Sequence, residues 1–267
     1  MKHCFITPTK FINDPEIGGQ SDFLLALSHL MNETMDNAYV DAVREFSKTK
    51  PVILDNGLFE NGVPESGEEL LFKAIDIGAS YVFAPDYLYE AEATRQAFED
   101  FADLAETVGV GPEGSTKLAY VVQANSHNEF LTEFAWANAN PRISLIGLSI
   151  LSVPHCFSEL TRTDDITINR MIAMRELDKI HEGAIKPCHL LGLGEGLTDL
   201  ISGVTYPWIY SNDSSSAFQT GKFEKTYKHY MVPGGKVHEK VDFDQQDLTP
   251  AQRTAILSNI STIKSII

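Results

Sequence analysis

Short runs of apolar, often β-branched residues alternate along this chain with stretches whose apolar positions recur every three or four residues. The runs are HCFIT from His3, PVILD from Pro51, YVFAP from Tyr81, LAYVVQ from Leu118, SLIGLS from Ser144, CHLLGLG from Cys188 and WIYSN from Trp208. Most are continuous rather than alternating in polarity, the pattern of strands covered on both faces in a parallel sheet wrapped by helices. The helix signals between them are well formed. Ser66 and Glu69 spell a capping box ahead of Leu70, Leu71, Ala74 and Ile75, with Gly78 where such a helix stops. Phe98, Phe101, Ala105 and Val108 share one helical face that ends at Gly109, and Ser126 with Glu129 makes another capping box. Thr249, Pro250 and Gln252 open the last helix with proline in its first turn.

Seven strands, an eighth expected in TYKHYMV from Thr226, and helices between them over 267 residues predict an α/β chain folded as a (β/α)8 barrel. A doubly wound open sheet is the alternative. No internal repeat or linker divides the chain, so residues 1–267 read as one domain, with the basic segment 222–240 and the C-terminal helix 249–265 as appendages. The N-terminus turns polar too early for a signal peptide and no apolar run approaches the roughly 18 residues of a membrane span, so a cytoplasmic protein is expected. Cys4, Cys156 and Cys188 are odd in number and widely spaced, which predicts reduced, buried thiols.

The formal charge of −16 excludes a protein that coats nucleic acid nonspecifically. Any such contact must be local. Lys222, Lys225, Lys228, Lys236 and Lys240, interleaved with Tyr227, His229 and Tyr230, form either a phosphate-contacting segment or an ordinary solvated loop.

Several strand runs end on a polar residue: Asp55, Asp86, Gln123, Gly147 to Ser149, Gly192 to Gly194, and Asp213. In a parallel barrel all of these ends open onto one mouth, the place where active sites of this architecture are built. Taken singly, each residue has a plainer role. Asp55, Asp86 and Asp213 suit turn or helix caps, Gln123 suits backbone groups, and GLGEG suits either tight turns or a phosphate cup. Taken together they describe a pocket with two carboxylates for acid/base and nucleophilic chemistry on an electron-poor sugar carbon. The small residues Ser214 to Ser216 leave room for a sugar beside Asp213 and offer hydroxyls or N–H groups to orient it. A flat heterocycle fits the remainder: Asp86 accepting from adjacent ring N–H and amino groups, Gln123 and the Gly147 backbone on the opposite edge, Phe59 and Leu191 on the faces.

These elements resemble the tRNA-guanine transglycosylase superfamily, and most closely its phage and bacterial branch that inserts 7-deazaguanines into DNA. DNGLF, Asp55 to Phe59, is similar to the family's DSGGF or DSGGY motif, with Asn56 and Leu58 departing from it. VFAPD, VVQAN, IGLSILS and HLLGLG resemble further family segments in the same order, ahead of an aspartate about twenty residues on. The resemblance implies that Asp213 is the nucleophile and Asp55 the general acid/base. It also implies that Asp86, Gln123, Gly147, Leu148, Phe59, Leu191 and Asn56 bind the base, and that Lys222, Lys225, Lys228 and Lys236 hold flanking phosphates. The family's zinc subdomain has no counterpart: Cys156 beside His155 and Cys188 beside His189 lack zinc-site spacing, so no metal is expected. The implied reaction replaces guanine in DNA by a free 7-deazaguanine, needs no cofactor, and leaves room for accessory proteins. A tRNA substrate, or a small phosphorylated metabolite bound by GLGEG, are the alternatives.

Overall fold

The computed structural model describes residues 1–194, 197–227 and 240–267. Eight parallel strands, β1 (Lys2–Phe5), β2 (Leu24–Ala26), β3 (Val52–Leu54), β4 (Tyr81–Phe83), β5 (Lys117–Val121), β6 (Leu145–Ser149), β7 (Cys188–Leu191) and β8 (Ile209–Ser214), form one sheet in the order β1-β8-β7-β6-β5-β4-β3-β2. The sheet curls into a nearly closed (β/α)8 barrel. The helices outside it are α1 (Ala38–Ser47), α2 (Leu58–Asn61), α3 (Gly67–Asp76), α4 (Ala91–Thr107), α5 (His127–Ala139), α6 (Ser152–Thr161), α7 (Ile166–His181), α8 (Thr198–Gly203), α9 (Ser216–Lys222) and α10 (Pro250–Lys264). Among the described residues no helix is long and apolar enough to cross a membrane.

Seven strands stand where the apolar runs put them, and the eighth does not. It is the three-residue β2, whereas residues 228–232 of the TYKHYMV run lie outside the described residues. The capping boxes at Ser66 and Thr249 form in full. At Ser126 only half forms, because Glu129 accepts the Asn125 N–H at 2.7 Å instead of reaching back to Ser126. All three cysteines are free and buried.

The barrel closes by ladders everywhere except between β1 and β2. That seam has the Asp22 N–H to His3 carbonyl bond (2.9 Å) and is otherwise stitched by side chains: Ser21 Oγ accepts from Phe5 N–H at 2.9 Å, and Cys4 Sγ from Leu25 N–H at 3.2 Å.

Register decides which side chains enter the barrel. Gly147, His189, Ser211 and Lys2 are consecutive partners across β6, β7, β8 and β1, one rung of inward-facing positions. The His189 ring lies 5.7 Å from that of Phe23 and 5.9 Å from that of Phe83, centroid to centroid, inside this ring of strands. Between β7 and β8 the register slips by one: Cys188 pairs with Ile209, but His189 pairs with Ser211, leaving Tyr210 as an extra residue. A bulge of this kind reverses the facing of everything beyond it. Were Tyr210 paired with His189 in an unbroken register, the inward position above His189 would go to Asn212; with Tyr210 bulged, Asp213 faces in.

Outside the barrel, Ile256, Ile260 and Ile263 of α10 pack with Phe5, Phe11 and Phe218 over β1 and α9. The approach is closest at Gly221, where a Cβ would lie 2.4 Å from Ile256 Cγ1 and 2.6 Å from its backbone nitrogen. Alanine normally strengthens a helix relative to glycine. Here Gly221→Ala is expected to destabilise the fold by about 1–3 kcal/mol through overpacking, read as a lower urea midpoint; an unchanged or higher midpoint would contradict this contact.

Candidate active site

Asp55 follows β3, Asp86 follows β4, Gln123 follows β5 and Asp213 lies near the end of β8, so the barrel brings four strand ends to one mouth. The acids feel one another: the charges of Glu60, Asp86 and Asp213 all act on Asp55.

Asp213 is buried, at 5% exposure, and among the described residues no lysine or arginine hydrogen-bonds it. Its Oδ1 accepts the Gly192 N–H at 2.9 Å and stands 3.1 Å from His189 Nε2. His189, fully buried, is oriented in turn by Ser211 Oγ, 2.8 Å from Nδ1. Gly192 holds φ of +71°, a left-handed turn suited to glycine, and this aims its N–H back at the carboxylate. The turn is braced from behind. The buried Arg170 guanidinium on α7 donates to the carbonyls of Leu191 (3.3 Å) and Gly192 (3.1 Å), and Asn212 Nδ2 donates to those of Leu190 and Gly192, both at 2.9 Å.

The serines after Asp213 do other work. Ser214 Oγ accepts the Ser216 N–H at 2.9 Å and so starts α9, while Ser216 Oγ accepts from the Tyr227 hydroxyl at 2.8 Å. The orienting role expected of their hydroxyls falls to Gly192 and His189.

Asp86 is also buried, and both oxygens are engaged: Oδ1 by Asn56 Nδ2, Oδ2 by Gln123 Nε2. Asn56 is itself tied to the Ala84 carbonyl at 2.7 Å, and Gln123 Oε1 accepts the Tyr89 N–H at 3.2 Å. Burial pushes the Asp86 carboxyl up to about 6, against the pull of these two amides. Asp55 goes further. Burial first, then the charges of Glu60, Asp86 and Asp213, raise it to about 8, opposed by the Gly57 N–H that Oδ2 accepts at 3.2 Å. At neutral pH its carboxyl carries the proton.

Phe59 is 65% exposed on the rim, on α2, and Leu191 is half-buried. A Cβ on Gly147 would press on Phe83 Cε1 at 2.8 Å and Leu191 Cδ1 at 3.1 Å, so glycine keeps the space under Leu191 open. Leu148 has the opposite parity: it pairs with Leu190, which packs toward Gly203, so its side chain faces the helices and only its backbone faces the mouth. Lys222 ends α9 and Lys225 is exposed beyond it, whereas Lys228 and Lys236 lie outside the described residues. Lys240 sends its charge to the mouth, acting on Glu60 and His29.

The glycine loop is not an open phosphate cup at its first half. Gly194 N–H donates to Asp199 Oδ2 at 2.8 Å, and that carboxylate stands 3.6 Å from Arg170 Nη1. The amide a phosphate would use is taken. Among the described residues no three His, Cys, Asp or Glu side chains cluster as a metal site would need. Two open grooves, of about 520 and 550 Å3, lie along α10 and between the loops after β1 and β2, and neither is walled by the three aspartates. Around the acids, Asp55 and Leu191 are partly exposed, whereas Asp86, Gln123 and Asp213 are buried.

Sequence reasoning missed His189, Arg170 and Glu60. His189 had a signal, since it lies two residues before Leu191 on an inward parity. Arg170 had none, being on a helix far from the strand ends. Glu60 follows directly on DNGLF. No protein-family model matches the chain, and no curated protein is significantly similar to it.

The raised carboxyls set a pH dependence for folding. Asp55 and Asp86 hold protons in the folded state at pH values where an unfolded chain, with carboxyls near 3.8, has released them. Their contribution is complete below that unfolded value and is lost as pH climbs through about 6 for Asp86 and about 8 for Asp55. Asp55→Asn is therefore expected to gain stability relative to the wild type as urea melts are taken from pH 5 to pH 8. A constant difference between the two proteins across that range would refute the protonated Asp55.

Proposed function

We propose that the protein is a DNA base-exchange glycosyltransferase that replaces guanine with a 7-deazaguanine. The observation that carries the reading is the unequal treatment of two coupled acids at one barrel mouth. Asp213 is fixed by an N–H and a histidine with an oxygen available for attack, while Asp55 keeps a proton at neutral pH. Environments that differ in this way are what divide one pair of carboxyls into nucleophile and general acid.

In the proposed reaction an Asp213 oxygen attacks C1′ of a flipped-out deoxyguanosine. The C1′–N9 bond breaks toward the base, and the Asp55 proton goes to the departing guanine. The incoming base then attacks C1′, Asp55 takes its N9 proton, and the bond from C1′ to Asp213 breaks. One glycosidic bond replaces another, so atoms and protons balance without a cofactor. Asp86, braced by Asn56 and Gln123, offers acceptors to the guanine ring N–H and amino group, with Leu191 over the Gly147 gap covering a ring face. The target nucleotide must leave the duplex stack for its C1′ to reach the buried Asp213. The α2 turn bearing Phe59 has no buried residue and is the part of the rim free to yield. The occupied Gly194 amide disfavours the phosphorylated-metabolite reading.

The direct test incubates the protein with guanine-containing DNA and 7-cyano-7-deazaguanine, digests the DNA to nucleosides and weighs them. The modified nucleoside is expected with the wild type, and Asp213→Asn should lower its yield on the order of 10³-fold or more and abolish any covalent protein–DNA adduct. Full exchange by Asp213→Asn would end this assignment. The exchange rate should also fall as pH rises past about 8, where Asp55 loses its proton. A rate still climbing at pH 9 would remove Asp55 from the acid role.

A further inference from the structure

Tyr89 stands where glycine belongs. After β4 the chain turns through Tyr87 to Glu90, closed by the Glu90 N–H to Tyr87 carbonyl bond of 3.0 Å, and at the third position Tyr89 has φ of +66°. A turn with positive φ there takes glycine or asparagine by default, and an aromatic residue is strained in it. Such strain persists where neighbours hold it, and it gathers at ligand-gripping sites. Here the holding group is Gln123, whose Oε1 accepts the Tyr89 N–H and whose amide donates to Asp86. The strained turn is thus built on the same side chain that braces the base-reading acid.

What this geometry achieves is the placing of a ring. Tyr89 lies 4.5 Å from His155, centroid to centroid, with 38° between the planes. His155 is exposed on α6, and its Nε2 stands 2.9 Å from Oδ1 of the exposed Asn125. Tyr87, two residues away, is 40% exposed. The loop after β4 and the first turns of α6 thus present ring surface on the rim near Asp86, with Tyr87 and His155 exposed and Tyr89 half-buried between its neighbours, while Asn125 after β5 holds the His155 ring. A ring pair that served to tie loops together would be at least as stable buried, and would need no strained backbone.

We propose that Tyr89 and His155 form a stacking platform for the nucleobase adjoining the flipped nucleotide. The inference rests on the base-exchange reading for its substrate. It adds how a chain of net charge −16 grips a polyanion: ring faces take up much of the work that phosphate-neutralising cations perform elsewhere.

The test titrates the full chain into a single-stranded DNA oligonucleotide carrying 2-aminopurine next to the target guanine. Binding of the wild type should quench the probe. Tyr89→Ala and His155→Ala should weaken binding roughly ten- to hundredfold and lose the quench, while Tyr89→Trp keeps both. Tyr89→Gly separates platform from fold, because it relieves the strain: its melting temperature should not fall, yet it should bind as poorly as the alanine variant. Wild-type affinity and quench in Tyr89→Gly would overturn the platform, whatever the exchange assay gives. Quenching that depends on Tyr89, in a protein that exchanges no guanine, would leave the platform standing and remove the base-exchange reading. Failure of the wild type to bind the oligonucleotide would remove both.

Discussion

Burying the Asp213 carboxylate with no lysine or arginine among the described residues hydrogen-bonded to it is the constraint around which the mouth of this barrel is arranged. A buried charge is tolerable only when its oxygens are hydrogen-bonded. The donors come from neighbouring β7 and the turn after it: the Gly192 N–H and His189. Gly192 can serve because of its left-handed turn, and that turn is held from outside the barrel by Arg170. His189 can serve because Ser211 fixes its ring and because the Tyr210 bulge brings Asp213 and Ser211 to the inner face together. Asp213, the bulge, the glycine turn and the buried arginine are parts of one arrangement.

The opposite treatment of Asp55 completes it. Asp55 has one backbone N–H and three neighbouring acids, so the same burial that Asp213 tolerates through its donors drives Asp55 to keep its proton. Glu60, on the turn that carries Phe59, contributes the first of those charges. Asp86 sits between the two cases, with two amides attached and a carboxyl raised less than that of Asp55. Asp55 and Asp86 thus differ through the balance of burial, neighbouring charge and hydrogen-bond donors at each strand end.

Much of this was legible in the residues, and the parts that were not share a cause. Seven strands announced themselves because each is a continuous apolar run bounded by turn residues; β2 did not, because Leu24–Ala26 is short and runs straight into Leu27 and a further turn. The acids were legible as strand-end residues. Their partners were not, since Gly192 N–H and Arg170 act through backbone groups and a helix position that no periodicity marks. The serines after Asp213 invited the role of its supports, yet Ser214 accepts the Ser216 N–H where the chain enters α9, and Ser216 holds Tyr227. The facing of Leu148 and of Asp213 depends on register and on one inserted residue, and both are decided between strands rather than within one.

The side-chain stitching between β1 and β2 has a mechanical consequence. Asp213 is carried by β8, laddered to β1, and Asp55 follows β3, laddered to β2, so the two acids sit on either side of the joint. The barrel is in effect a split ring whose gap is spanned by a serine, a thiol, the Asp22 carboxylate on the His3 N–H and one backbone hydrogen bond. Widening or narrowing that gap would change the distance from Asp213 to Asp55 while every strand ladder stays intact. In the base-exchange reaction proposed above, compliance at this joint would act on both acids at once.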